Sequence, residues 1–277
     1  MILEIPGLDL ISDNPAIIVG LAVAGFTFTW LTGWGGYLGN KGSLVVTWTS
    51  QALFLAAISI AAAVYFFGAT GGIAIVGAIM WHEWGHVIAY RVAGHSDARF
   101  RLIPLLGGVA ISNQRPRNHA AECFVVLMGP GFSVCLVVIL MLAATWLRDA
   151  GLPFSREVRW AAVLTGTINA FNMLPLWPLD GGRALRSITI TAAPRLAPML
   201  TMVMSAVLVG FALIKQMWFL LMFAVMGYSY AQRAGAVELH LSPMTGPQAL
   251  LAALGYLAIL GAHLVAGLPL VLRLLRI

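Results

Sequence analysis

The sequence predicts an all-α polytopic membrane protein with about eight transmembrane segments and one short stretch that is a hairpin or re-entrant loop. Three observations carry that reading. The chain is 60% hydrophobic and 9% charged, with a mean hydropathy of +0.91. Several windows exceed the ~20 apolar residues that a bilayer-crossing helix needs. Between the third and fourth of these lies a polar, basic stretch, Ala93 to Ala120, whose centre alternates loosely and carries Pro104 and the pair Gly107-Gly108. A soluble domain is excluded by this composition. The net charge of +6 comes from sixteen Lys and Arg spread thinly between apolar segments, with no basic run, which argues for headgroup-facing loops and against nucleic acid.

Taken in order, Pro15 to Trp34 is the first span, closed by Gly33-Trp34-Gly35-Gly36. The second runs from Gln51 to Phe67, and Gly68-Ala69-Thr70-Gly71-Gly72 turns the chain into the third, which ends near Val92. Phe100 to Ile111 forms the hairpin or re-entrant stretch. The fourth span, Ala121 to Leu147, contains Gly129-Pro130-Gly131, a weak point in a helix. The fifth begins near Val158 and ends in Asn172-Met173-Leu174-Pro175-Leu176-Trp177-Pro178-Leu179-Asp180-Gly181-Gly182. Leu196 to Ile214 and Met217 to Ala231 follow, then Gln248 to Leu275, interrupted by Pro269. The chain thus divides into 1–69 with two N-terminal spans, a core over 70–195, and C-terminal spans over 196–277.

With an external N-terminus and alternating spans, Arg148, Arg156, Arg159, Lys215, Arg273 and Arg276 fall outside, leaving ten of the sixteen Lys and Arg cytoplasmic. The N-terminus has no basic n-region and carries Glu4, Asp9 and Asp13, so no cleavable signal peptide is expected. Cys123 and Cys135 would lie roughly 18 Å apart along one helix, beyond disulfide reach.

The third span reads His82-Glu83-Trp84-Gly85-His86. On a helix the two histidines stand at i and i+4, so both imidazoles leave one face and can grip one zinc ion. Glu83 is one residue round, placed to take a proton from water without using a ligand position. Ionisable groups inside a span are costly and functional by default. A catalytic zinc takes three protein ligands and an open position. The remaining acids in or beside apolar segments are Glu122, Asp180 and Glu238. Asp180 is favoured because Pro175 and Pro178 break the helix before it, and irregular backbone at membrane depth is tolerated where it lines a wet cavity. A helix N-cap opening Arg183 to Ile190 accounts for Asp180 equally well at this level.

His82-Glu83-x-x-His86 on a span, followed by Asn172-x-x-Pro175-x-x-Pro178-Leu179-Asp180-Gly181-Gly182, resembles the site-2 protease family of intramembrane zinc metalloproteases over about Gly71 to Arg195. The resemblance implies one zinc per chain on His82, His86 and Asp180, with Glu83 as general base. It implies that Asn172 helps hold substrate, and that Phe100 to Ile111 is a membrane re-entrant β-hairpin next to the active site, with Gly107 and Gly108 at its turn or edge. Where the family often has Gly-x-x-x-Asn, this chain has Gly129 to Ser133, so a polar role there is weakened. The chain resembles a minimal member: about a dozen residues separate the fourth and fifth spans, too few for a PDZ domain, and the tail does not suit a CBS pair.

The implied activity is hydrolysis of a peptide bond within or near the transmembrane segment of another membrane protein, a single-pass regulator or a signal-peptide remnant. The implied setting is a bacterial or archaeal plasma membrane, with the site toward the cytoplasm. Two other readings use the same motif: a non-proteolytic zinc-binding protein or transporter, and a prenyl-protein-type zincin with Glu122 or Glu238 as third ligand. Serine and aspartyl intramembrane proteolysis lack their motifs. His95 and His119 are expected to face solvent or headgroups, and His263 to hydrogen-bond another helix.

Overall fold

The computed structural model describes residues 50–103, 107–216, 218, 221 and 241–275. The order is α1 (Ser50–Val92), β1 (Arg99–Ile103), β2 (Gly107–Ile111), α2 (His119–Asp149), α3 (Ser155–Asn172), α4 (Asp180–Ala192), α5 (Ala197–Ile214) and α6 (Gly246–Leu275). The expected span Pro15 to Trp34, the span Met217 to Ala231 apart from residues 218 and 221, and Glu238 and His240 lie outside the described residues.

Four of these helices are long and apolar enough to cross a membrane: Phe54–Val92, His119–Asp149, Ala197–Ile214 and Gly246–Leu268. The apolar window of α2 is 67% buried, against 17 to 22% for the other three, so α2 is enclosed by protein while they present apolar flanks. The helix α3, which covers the fifth expected span from Val158, carries Arg156, Glu157 and Arg159 at its start and is not among these four. Pro269 does not interrupt α6, which continues to Leu275; the expected break there is corrected.

The helix α1 is two segments joined at Gly68, whose φ of 74° is left-handed. Eight residues of straight helix span about 12 Å. Yet a Cβ on Gly72 would lie 2.5 Å from the backbone nitrogen of Val64, so the chain doubles back sharply here. The glycine-rich turn therefore separates the second and third expected spans. The second segment ends in a Schellman cap: Gly94 has φ 97°, the His95 amide donates to Tyr90 O at 2.9 Å and the Gly94 amide to Arg91 O at 2.9 Å.

The chain then enters an antiparallel pair, with Arg99 opposite Ile111, Leu102 opposite Gly108 and Ile103 opposite Gly107. Its base is tied by side chains. Ser112 Oγ donates to Asp97 Oδ1 at 2.8 Å, the Asn113 amide donates to Asp97 Oδ2 at 2.7 Å, and His95 Nδ1 lies 2.9 Å from Ser112 Oγ. Arg91 donates to Ala98 O at 3.3 Å. His95 is 3% and His119 1% exposed, so the expectation that both face solvent or headgroups is corrected. His95 is buried because the helix cap and the hairpin base close over it.

By contact the described residues form two compact groups, one within Met1–Asn113, Gly129–Ala170 and Gly261–Ile277, the other within Gln114–Met128 and Phe171–Leu260. In the first, α3 and α6 touch backbone to backbone. A Cβ on Gly166 would meet Ala266 Cβ at 2.7 Å, one on Gly267 would meet Thr167 N at 2.6 Å, and Thr167 Oγ1 donates to Gly267 O at 3.2 Å. The core of the second gathers Val126, Met173, Ala184, Met244 and Tyr256, and the Tyr256 hydroxyl donates to Met173 O at 2.9 Å. The segment before α4 wraps over its first turn so closely that a Cβ on Gly181 would meet Met173 O at 2.1 Å and one on Gly182 would meet Leu176 C at 2.5 Å. That contact is the reason for the Gly-Gly pair after Asp180.

Candidate metal centre

The helical spacing of His82 and His86 brings their rings together edge to face, with centroids 4.7 Å apart and Nε2 atoms 3.0 Å apart. Both are buried, as is Glu83. His82 is oriented from behind. Its Nδ1 lies 2.7 Å from Asn169 Oδ1, and the Asn169 amide nitrogen donates to Thr165 O at 2.8 Å. That second bond fixes the amide so that its oxygen faces the imidazole. His82 must then donate through Nδ1–H, which leaves the Nε2 lone pair for a ligand.

Two glycines make room for these side chains. A Cβ on Gly129 of α2 would lie 2.3 Å from His86 Nε2 and 2.5 Å from its Cε1. A Cβ on Gly108, in β2, would lie 2.3 Å from Glu83 Cγ and 3.0 Å from its Cδ. The hairpin edge therefore passes directly over the Glu83 carboxylate stem. Gly107 pairs with Ile103 at the start of β2.

Asp180 is the first residue of α4 and is buried; the N-cap position belongs to Leu179, with no side-chain cap. Its Oδ2 accepts from Asn172 Nδ2 at 2.7 Å. Asn172, expected to hold substrate, is thus engaged on the carboxylate of Asp180. His82, His86 and Asp180 are buried side chains whose ligand atoms could hold a metal ion. Two imidazoles and one carboxylate are the borderline nitrogen-and-oxygen donor set that suits zinc. A set of three leaves a position open for water. The donors fit the ion.

Glu122 is placed differently. Its carboxylate accepts from Arg183 Nη2 at 2.5 Å, and Arg183 Nη1 stands 3.9 Å from Asp180 Oδ1. Arg186 lies over the Trp177 ring, 5.2 Å from its centroid. Ser133 donates to Gly129 O within its own helix at 3.1 Å, so its hydroxyl serves α2.

Sequence reasoning passed over Asn169 and Gly129; Trp81, beside the motif, donates through its indole nitrogen to Phe132 O at 2.9 Å. The signal for Asn169 was its spacing of three from Asn172, which sets two amides on one side of a helix. For Gly129 no local pattern pointed to the site.

No family model matches the chain. It is 29% identical over 125 residues to a protein of Mycobacterium tuberculosis named "Putative zinc metalloprotease Rip3", covering 44% of this chain and 32% of that one. It is 28% identical over 112 residues to zinc metalloprotease MJ0392 of Methanocaldococcus jannaschii, covering 40% and 31%. The chain thus spans about a third of the length of the curated relatives it matches. Among solved structures, the site-2 protease from Methanocaldococcus jannaschii aligns with TM-score 0.44 at 22% identity, over 66% of this chain and 87% of that one.

Proposed function

We infer that this chain, a member of the site-2 protease family of intramembrane zinc metalloproteases, hydrolyses a peptide bond within or near a transmembrane segment of another membrane protein. The observation that carries this reading is a buried glutamate beside the first of two buried histidines on one helix face, whose Nε2 atoms lie 3.0 Å apart. His82, His86 and Asp180 would hold a zinc ion, which would supply Lewis acidity at the site.

The chain's own groups do the rest. Glu83 takes the proton from the attacking water at its carboxylate and returns it to the departing amine. Asn169 holds His82 in the tautomer that presents Nε2, and Asn172 fixes the Asp180 carboxylate. A transmembrane helix must unwind before its carbonyl can be attacked, and its freed amides then need partners. The edge of the hairpin Phe100 to Ile111 offers them by strand addition, with Gly108 letting the strand come close to Glu83. Substrates of this kind are single-pass regulators or signal-peptide remnants in a bacterial or archaeal plasma membrane, cut toward the cytoplasmic side. The guanidinium on Glu122 speaks against the prenyl-protein-type reading, because that carboxylate is held by Arg183.

The test is a pair of variants in the purified full chain. Glu83→Gln keeps shape but accepts no proton, so it should retain one zinc and lose about 10²- to 10⁴-fold in cleavage of a helical membrane reporter. Asp180→Ala should lose the zinc. Appreciable cleavage by Glu83→Gln, or full zinc in Asp180→Ala with loss in Glu122→Ala, would defeat the reading.

A further inference from the structure

The C-terminal helix contributes a histidine that no zinc-site motif contains. His263 is fully buried, and its Nε2 lies 2.8 Å from Pro130 O. A carbonyl only accepts, so the ring carries its proton on Nε2, and Nδ1 has no hydrogen-bond partner. A buried imidazole that makes a single bond is an expensive way to fill space; a phenylalanine would fill it without the desolvated nitrogen. The bond it makes falls on a particular carbonyl.

Pro130 follows Gly129, and Gly129 is the residue whose Cα bears on the His86 ring, with no room for even a methyl group. Proline also removes one backbone hydrogen bond from α2 at this point, so the helix there is weakly self-supported. Two side chains from other helices brace the turn that follows: His263 on Pro130 O, and Trp81, one residue before His82, on Phe132 O. Four residues beyond His263, Gly267 is locked against Gly166 and Thr167 of α3, the helix that carries Asn169 behind His82.

We propose that His263 is a positioning residue for the metal centre: its Nε2–H clamps the Gly129–Pro130 turn of α2 and so sets the seat of the His86 imidazole. This rests on the zinc-site reading above, and deepens it by giving the C-terminal helix a part in ligand geometry. It predicts that metal binding responds to a hydrogen bond made one residue away from the ligand's contact.

The experiment uses cobalt as the probe, because Co(II) in a three-ligand site reports its geometry in the visible spectrum. The full chain in detergent is compared with His263→Phe, which keeps ring and volume but has no donor, and His263→Gln, whose amide can donate to the same carbonyl. His263→Phe should weaken Co(II) retention against a chelator by about 10-fold or more and alter its ligand-field bands. His263→Gln should recover most of both, which a packing role alone would not produce. A wild-type spectrum and affinity in His263→Phe would overturn the proposal. So would a His263→Gln as impaired as His263→Phe. If the wild type itself takes up no cobalt, the zinc-site reading falls and this inference with it; normal uptake with an indifferent His263→Phe sinks this inference alone.

Discussion

Replacing Gly108 with alanine isolates the contact between the hairpin and the general base. The added Cβ would stand 2.3 Å from Glu83 Cγ, 3.0 Å from its Cδ and 3.1 Å from Ile79 Cγ2. Ordinary contact begins at 3.4 Å, so something must give by 3.4 − 2.3 = 1.1 Å. The near atom is in the middle of the side chain and Glu83 is buried, so it cannot swing into solvent. Either the carboxylate rotates from its place or β2 lifts away from α1. A displacement of about 1 Å at a reacting group costs roughly 10²-fold in rate, or about 2.7 kcal/mol of barrier. The zinc content should stay at the wild-type level, because none of the three atoms belongs to a ligand. The assay is cleavage of a membrane reporter in proteoliposomes, with zinc measured on the same preparation. Gly77→Ala is the control: its Cβ would meet nothing within 4 Å, and in a helix interior it should be neutral or stabilising by up to about 1 kcal/mol. Activity of Gly108→Ala within threefold of wild type would refute the placement of this strand over Glu83.

Three further outcomes follow from other contacts. Asn169→Ala removes the group that holds His82 in its ligand tautomer and should weaken zinc binding by about 10- to 100-fold, read by chelator competition. For Asp97, burial pushes the carboxyl up, but donation from the Asn113 amide and the Ser112 hydroxyl, with His95 nearby, outweighs it and holds the group below its usual 3.8. A depressed pKa means stabilisation that is present above 3.8 and lost as pH falls through the lower, folded value. Pepsin should therefore nick Ala93 to Ala120 in wild type only in strong acid, whereas Asp97→Asn should be cut to the same extent from pH 2 to 5. In a background lacking Cys123 and Cys135, cysteine at Ser155 should react with an impermeant thiol reagent from outside intact cells and cysteine at Ser96 should not; the reverse pattern would move the site to the other side of the membrane.

The parts of the fold that were legible in sequence are those set by local chemistry. Apolar windows give helices, Gly68 to Gly72 gives a reversal, and the loosely alternating stretch after Ala93 gives the strands Arg99–Ile103 and Gly107–Ile111. His82-Glu83-x-x-His86 was legible because two ligands at i and i+4 must share a helix face. What escaped were fits across long sequence distance. Gly129 reads as a flaw in a span, and nothing near it says that an imidazole from residue 86 rests on it. His95 reads as a polar residue in a basic loop, and its burial depends on Ser112, seventeen residues on.

The last turn of α3 shows how much one short spacing can hold. Asn169 and Asn172 are one helical step of three apart, so their amides leave the helix on nearly the same side. Asn169 spends its nitrogen on Thr165 O and its oxygen on His82; Asn172 spends its nitrogen on Asp180. The two ligands so addressed are 98 residues apart in sequence, 180 − 82, and come from helices with no local relation. Each needs a different partner. An imidazole that offers Nε2 wants an acceptor at Nδ1, and a carboxylate that offers one oxygen wants a donor on the other. Asparagine carries both functions in one flat group, and neither aspartate nor leucine of similar size does. Aspartate at 169 would still accept from His82 but could not donate to Thr165 O, leaving a charged oxygen against that carbonyl. Aspartate at 172 would set two carboxylates 2.7 Å apart. Asparagine at both positions meets the opposite demands of the proposed ligands, an acceptor for the imidazole of His82 and a donor for the carboxylate of Asp180.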